Sequence, residues 1–225
     1  MFLGHFAVAF AAKRAVPEVS LGTLFLAAQL ADLVWPTLVL LGFEHFAIRP
    51  GITAVTPLEF IRYPYSHSLL GMAAWGALLG IAYLVLRRKA GAAFLLFLVV
   101  LSHWLLDFVT HRPDLRLVIA GSEPYGLGLW HSRIGTLLVE GLIFAVGVWI
   151  YVRATRPLDR IGRWALIALV AFLVLIYLGS VFGPPPPSIS AVVWNAQAVW
   201  LLVACGYWID AHRGSGLRPR IMIGS

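Results

Sequence analysis

Charged residues are scarce in this sequence. Only 12% of its 225 residues are Asp, Glu, Lys or Arg, whereas 60% are hydrophobic, and the mean hydropathy is +0.87. A soluble domain carries about 25% charged residues. The composition therefore excludes an ordinary soluble protein and predicts an integral membrane protein that forms one domain.

Cysteine is almost absent as well. The one cysteine, Cys205, lies in an apolar run, which excludes a disulfide framework and a Cys-based metal site. The N-terminal segment "MFLGHFAVAFAAKRA" also lacks the pattern of a signal peptide, because Lys13 and Arg14 follow its apolar stretch instead of preceding it. We therefore expect the chain to keep this segment and the histidine within it, His5.

Long apolar runs make up most of the chain. About 20 apolar residues suffice to cross a membrane. The sequence predicts an all-α fold, a polytopic transmembrane helical bundle with a short N-terminal helix (2–14) and about six spans. The spans are expected at 20–42, 67–86, 91–111, 132–152, 162–182 and 190–210. Residues 1–152 would form a site-bearing helical core, and residues 153–225 two further spans and a basic tail.

The net charge of +7 is unevenly distributed. If the spans alternate, twelve of the seventeen basic residues fall on one side: Lys13, Arg14, Arg87, Arg88, Lys89, Arg153, Arg156, Arg160, Arg163, Arg213, Arg218 and Arg220. The positive-inside rule makes that side, with the C-terminus, cytoplasmic. The basic excess thus predicts orientation and contact with membrane lipids, and argues against a nucleic-acid partner.

Residues with metal-binding chemistry fall on the opposite side. In "SHWLLDFVTHRPD", His103, Asp107 and His111 recur every four residues, so they share one face of a helix. His103 and Asp107 can chelate one ion, and His111, one turn further, could serve a second. A polar face that packs against another helix is the structural alternative.

Three carboxylates, Asp32, Asp107 and Glu140, fall in the outer halves of predicted spans. An ionised carboxylate in the hydrocarbon region costs roughly 2.5–3.5 kcal/mol on insertion scales, so such residues pair, line a wet cavity or bind an ion. No Lys or Arg is predicted at their depth, which makes a cation from solution the simplest counter-charge. Imidazole and carboxylate ligands favour a divalent transition metal, with zinc leading and manganese or iron open.

The candidate site combines metal ligands with catalytic groups. The predicted metal ligands are His5, Asp32, His67, His103, Asp107, His111 and Glu140. Asp32 and Glu140 are also candidates for a catalytic base, although Asp32 could instead kink a helix before Pro36. Arg112 and Arg133 are candidates for stabilising a phosphoryl group, because Arg binds phosphate in a bidentate manner. Interfacial snorkelling is the alternative for both arginines, and site roles for His45 and His131 stay open.

Four segments of the chain resemble a known family. "GHFAVAFAAKR", "LADLVWP", "YPYSHSLL" and "SHWLLDFVTHRPD" are similar to segments of bacterial membrane-bound metal-dependent hydrolases, some described as LexA-binding and inner-membrane-associated. The resemblance covers roughly residues 1–150. More distantly, the order of these residues resembles that of zinc-dependent phospholipase C and single-strand-specific zinc nucleases.

The resemblance implies an ordered ligand set. In the soluble relatives an early His, an Asp, a His and a HxxxD helix bind metal, and this order matches His5, Asp32, His67, His103 and Asp107, with His111 as a candidate for the next ligand. There are two departures. Thr136 stands where the His of a later HxxxE pair would be, and the chain starts with Met1 instead of a Trp whose amine binds metal. One or two ions are therefore expected.

The leading functional expectation is a metal-dependent hydrolase of phosphoester bonds in a lipid or lipid-linked substrate. It would lie in the bacterial inner membrane with its site open to the extracytoplasmic side. An ion, proton or small-solute transporter is the main alternative, disfavoured because "LLGIAYLVL" and "AGAAFLLFLVV" offer no polar relay. A non-catalytic, metal-stabilised membrane scaffold is the third class. The last two spans are expected to serve packing or homo-oligomerisation.

Overall fold

Helices make up most of the fold. The structure, a computed structural model, describes residues 1–215. Its α-helices are α1 (Phe2–Ala12), α2 (Leu21–Ala28), α3 (Leu30–Leu40), α4 (Pro64–His67), α5 (Leu69–Arg87), α6 (Ala90–Thr110), α7 (Arg133–Ala154), α8 (Arg160–Phe182), α9 (Ile189–Gln197) and α10 (Val199–Ala211). Arg218 and Arg220, which the sequence assigned to the cytoplasmic side, lie outside the described residues.

Five apolar segments are long enough to cross a membrane: α5, α6, α7, α8 and the combined segment of α9 and α10, Ile189–Ala211. Helices α2 and α3 pass the same test as a pair, but they are bent by 56°. This result confirms the predicted helical bundle, with five or six apolar segments long enough to span a membrane where the sequence predicted about six spans. The short helix α1 is inserted into the bundle and buries most of its residues.

Two small antiparallel sheets accompany the helices, which the all-α prediction did not include. Strand β1 (His45–Ile48) pairs with β2 (Leu58–Arg62), and β3 (Thr155–Pro157) pairs with β4 (Arg213–Ser215). The sequence gives little sign of them, because strands of three to five residues carry almost no periodic signal. The β1–β2 hairpin lies near the end of the bundle where α6 ends and α7 begins, called the site end below.

Serine side chains begin several helices. Ser20, Ser68, Ser132 and Ser188 each accept a hydrogen bond from a backbone N–H in the first turn of α2, α5, α7 and α9, respectively. Such N-caps satisfy donors that have no partner within the helix. Ser68 and Ser132 therefore help to define where α5 and α7 begin at the site end.

The chain breaks between α2 and α3. Gln29, at the break, has φ −102° and ψ 8°, and Pro36 follows within α3. The sequence left open whether Asp32 kinks the helix or binds metal. In the structure the helix is broken at Gln29, and Asp32 belongs to the candidate site described next. The break leaves the carbonyl of Ala28 at the end of α2, where helix carbonyls lack intrahelical partners.

Candidate metal centre

Five of the predicted ligands converge at the site end of the bundle. His5 comes from α1, Asp32 from α3, His67 from α4, and His103 and Asp107 from α6. They form two overlapping groups, His5–His103–Asp107 and Asp32–His67–His103, and in each group the ligand atoms lie within 4.8 Å of one another. The two groups share His103, and the short distances within each group would allow it to hold a metal ion.

The carboxylate of Asp107 lies at the centre of this cluster. Its Oδ1 is 3.1 Å from His5 Nε2, and its Oδ2 is 3.1 Å from His103 Nε2. The Nε2 atoms of His111 and His67 lie 3.8 and 4.0 Å from the same Oδ2. Imidazoles from three helices and from the residue that ends α6 therefore surround one buried carboxylate.

Asp32 lies close to two of these histidines. Its Oδ1 lies 3.4 Å from His67 Nε2 and 3.8 Å from His103 Nε2. Its side chain is 34% exposed, whereas that of Asp107 is 2% exposed. Asp32 is thus the ligand candidate with the best access to solvent or substrate.

The break between α2 and α3 orients His103. The Nδ1 of His103 lies 2.8 Å from the carbonyl oxygen of Ala28. Since a carbonyl only accepts, Nδ1 carries the proton and donates it. The lone pair of a neutral imidazole is then on Nε2, which has no hydrogen-bond partner and faces Asp32 and Asp107.

A buried glutamate orients His67 in a similar way. Glu44 is 1% exposed and accepts hydrogen bonds from the Ser66 N–H (2.9 Å) and the Ser66 hydroxyl (2.6 Å). Because that hydroxyl donates to Glu44, it accepts from His67 Nδ1 at 2.7 Å. His67 Nε2 is left free to face Asp32. Outer hydrogen bonds of this kind fix the tautomer of metal-binding histidines.

His111 is held by Asp114 and Tyr63. Its Nδ1 lies 3.0 Å from Asp114 Oδ1, and the Tyr63 hydroxyl donates to the same oxygen at 2.7 Å. Burial, together with the nearby charge of Asp114, raises the pKa of Tyr63 well above its usual value, so its hydroxyl stays protonated. His111 Nε2 points towards Asp107 but does not belong to either group of close ligand atoms.

The amine of Met1 is a further group in the site. The buried terminal ammonium contacts Asp107 Oδ1. Nothing in the sequence indicated this contact, because the resemblance described above concerned only the absence of an N-terminal Trp. It supplies positive charge beside Asp107, and among the described residues no Lys or Arg forms an ion pair with Asp32, Asp107 or Glu140.

Glu140 lies close to the cluster but has another partner. Its Oε2 accepts a hydrogen bond from the backbone N–H of Leu3 at 2.9 Å, in the first turn of α1. It does not join either close group of ligand atoms. Its visible role is to hold the start of α1, and therefore His5, against α7.

The predicted arginines lie around the cluster. Arg133 donates to the Ala54 carbonyl at 2.9 and 3.2 Å and lines the same cavity as the ligands. Arg112 lies beside two acidic residues, 3.3 Å from Asp114 and 3.5 Å from Glu59. It lines a neighbouring cavity of about 570 Å³ that also contains Arg62, Arg116 and His67.

The other histidines take no part in the close ligand groups of the described chain. His45 is exposed in β1, and His131 is exposed in a single 3₁₀ turn at the start of α7. His212 lies at the opposite end of the bundle, where its Nδ1 is 2.6 Å from Asp159.

A cavity of about 690 Å³ opens onto the cluster. It is bordered by Asp32, His67, Asp107, His111 and Glu140, and it continues towards α8 and α9. This volume is in the range of small-molecule sites. The cavity thus joins the core of the bundle to spans for which the sequence had suggested only packing or oligomerisation.

The donor set fits a divalent transition metal. With Nδ1 protonated in His103 and His67, their Nε2 lone pairs face carboxylate oxygens, an unfavourable arrangement unless a proton or a cation lies between them. The rings of His5 and His103 stack at 3.5 Å, so a positive charge on both would be repulsive. Mixed imidazole and carboxylate donors suit zinc, manganese or iron.

Comparisons with protein-family models, curated proteins and solved structures found no match for this chain. The resemblance to bacterial membrane-bound hydrolases therefore stays a prediction.

Proposed function

We propose that this protein is a membrane-embedded, metal-dependent hydrolase that cleaves phosphoester bonds in a lipid or lipid-linked substrate. The observation that carries the proposal is the convergence of His5, Asp32, His67, His103 and Asp107 beside a cavity of about 690 Å³, which Asp32, His67 and Asp107 line. Zinc is the preferred ion, one or two per chain, with manganese or iron as alternatives. When bound, such an ion supplies Lewis acidity that activates water at neutral pH.

Each residue near the cluster has a separate task in this proposal. His103 and His67 present Nε2 because Ala28 and Ser66 engage their Nδ1 atoms. Asp32, the most accessible carboxylate of the ligand groups, accepts a proton from the attacking water. Arg133 borders the same cavity, so its guanidinium can move from the Ala54 carbonyl to a phosphoryl oxygen.

The membrane setting supports a lipid-like substrate. The cluster lies where apolar spans end, and the chain exposes many large apolar side chains along those spans. A lipid that diffuses in the bilayer can reach a site at this depth. The clustering of Lys and Arg supports a cytoplasmic C-terminus and a site facing the other side, in a bacterial inner membrane.

Metal content tests the proposal first. Purified protein would be assayed by inductively coupled plasma mass spectrometry, together with His103→Ala, Asp107→Ala and the control His131→Ala. We expect one or two equivalents of a transition metal, lost in the first two variants and kept in the control, because only the control residue lies outside the ligand groups.

Turnover is the second part of this test. Metal-loaded protein should hydrolyse alkyl 4-nitrophenyl phosphate diesters, and Asp32→Asn should abolish turnover. Wild-type protein that contains no metal and cannot be reconstituted would remove the proposed mechanism. Bound metal without turnover would favour the scaffold, and metal-independent proton or solute flux would favour the transporter.

A further inference from the structure

The lining of the cavity at the metal centre combines two chemically different sets of residues. One set consists of imidazoles and carboxylates of the cluster, such as His67, Asp32 and Asp107. The other, called the apolar arm here, is formed by Tyr177, Val181, Pro184–Pro187 and Val192, from α8, α9 and the turn between them. Among residues 177–195, none that lines the cavity is charged, although Arg133 of α7 lies 5.6 Å from the ring of Phe182.

The turn between α8 and α9 lacks backbone N–H donors at its prolines. Pro184–Pro187 are four consecutive residues without a backbone N–H. Tyr177 is buried, and its hydroxyl donates to the Thr136 carbonyl at 3.3 Å. The Ser180 hydroxyl also has a partner, the Tyr177 carbonyl at 2.8 Å. Apart from Asn195, the arm therefore offers few free hydrogen-bond donors to a polar ligand.

The helices that form the arm also expose large apolar side chains on the outer surface of the bundle. Phe182, Ile189 and Trp194 are large apolar residues with 61%, 47% and 63% of their surface exposed. They lie in or beside the same segments that supply Val181 and Val192 to the cavity. The arm is thus close to the surface from which a membrane lipid would arrive.

We propose that the apolar arm holds a hydrocarbon chain of the substrate while the ester to be cleaved lies at the metal-ligand cluster. A cavity lined both by the charged donors of the cluster and by an uncharged, mainly apolar segment of α8, α9 and their turn is complementary to an amphiphile. The identity of the ester rests on the proposed function. Binding of the chain does not require turnover, so the two can be tested separately.

Photo-cross-linking tests the arm directly. The probe is hexadecylphosphocholine with a diazirine at the end of its chain, added to metal-loaded and metal-stripped full-length protein in detergent. We expect the label on residues 177–192, displaced by excess unlabelled hexadecylphosphocholine. Val192→Trp, which fills the arm, should lose this label, whereas Val192→Ala should keep it.

Val146→Trp is the matched control, because Val146 is 46% exposed on α7 and does not line the cavity. It should be labelled like the wild type. Unchanged metal content in Val192→Trp, Val192→Ala and Val146→Trp would show that the core of each variant is intact. A label found only on exposed faces of the spans, unaffected by Val192→Trp, would overturn the proposal.

Chain-length preference gives a second readout if the protein is a hydrolase. For hexadecyl 4-nitrophenyl phosphate, kcat/KM should fall by about tenfold or more in Val192→Trp, while the ethyl ester is nearly unaffected, because only the long chain reaches the arm. Equal effects on both esters would contradict the assignment. Labelled arm residues without hydrolysis of either ester would refute the hydrolase and leave the hydrocarbon site standing.

Discussion

Histidine side chains carry most of the chemistry at the residue scale. In His67, His103 and His111, Nδ1 contacts an oxygen outside the cluster, and Nε2 points inwards. The outer oxygens belong to a serine, a backbone carbonyl and a carboxylate. Three different local structures thus give the same orientation, which is the arrangement that metal-binding histidines require.

Glu44 offers the clearest test of this orientation. In Glu44→Gln, the new amide N–H group would donate to the Ser66 hydroxyl, which must then donate its own proton to His67 Nδ1. The proton of His67 would move to Nε2, the atom that faces the cluster. We expect metal affinity, measured by chelator competition, to fall by roughly 10- to 100-fold.

The matched control is Glu123→Gln, an exposed loop residue with the same change of charge. Its metal affinity should equal that of the wild type. If Glu44→Gln binds metal normally, the Glu44–Ser66–His67 chain does not orient the ligand.

At the scale of single elements, the short helix α1 is the most important piece of the site. It supplies His5, and Glu140 holds its first turn. A close approach to α7 fixes its depth, because a Cβ atom on Gly147 would lie 2.4 Å from the Ala7 carbonyl oxygen. A glycine is therefore required at this crossing.

Gly147→Leu should push α1 away from α7. Overpacking of this kind costs about 1–3 kcal/mol, so we expect a lower melting temperature together with weaker metal binding, since His5 moves with α1. The combination would be measured by thermal unfolding in detergent and by metal titration.

Gly141→Leu is the control on the same helix, because a Cβ there meets nothing within 4 Å. Both substitutions raise helix propensity equally. Their difference therefore isolates the contact with α1, and equal behaviour of the two variants would show that the crossing is not tight.

At the scale of the whole molecule, a buried ion pair joins the two ends of the chain. Lys13 Nζ lies 2.9 Å from the Asp210 carboxylate and donates to the Val19 carbonyl at 2.8 Å. The two side chains are 7% and 15% exposed. The pair ties the segment after α1 to α10, at the end of the bundle opposite the site.

Lys13→Met should destabilise the whole bundle. It removes the ion-pair partner of the largely buried Asp210, a loss that typically costs about 3–5 kcal/mol. We expect a clear fall in melting temperature, whereas Arg14→Met, at the exposed neighbouring position, should have little effect. Similar melting temperatures for both variants would mean that Asp210 reaches water or another partner.

The spans were predictable because their signal is local. Mean hydropathy over some 20 consecutive residues identifies α5 to α8 and the segment 189–211 without any knowledge of contacts. The HxxxD spacing on α6 was also readable, because residues four apart share a helix face. The break at Gln29 and the β1–β2 hairpin were not predicted, since short irregular segments depend on tertiary contacts.

The residue types of the candidate site were predictable from the sequence, but the hydrogen-bond partners of those residues were not. Intramembrane His and Asp residues are costly, so their presence alone drew attention to His5, Asp32, His67, His103 and Asp107. Glu44 and Asp114 gave no such signal, because acidic residues in loops are common. Glu140 carries an intramembrane charge as well, yet its partner is the backbone of α1.

The sequence by itself therefore determined the helical fold class, the approximate apolar spans and the residue types that could bind metal, because hydropathy and side-chain chemistry are local properties of the sequence. Only the tertiary structure decided which of these atoms meet. The ligand groups combine residues up to 102 positions apart, such as His5 and Asp107. The apolar arm also depends on the tertiary structure, because the sequence of the spans that form it shows only that they are hydrophobic.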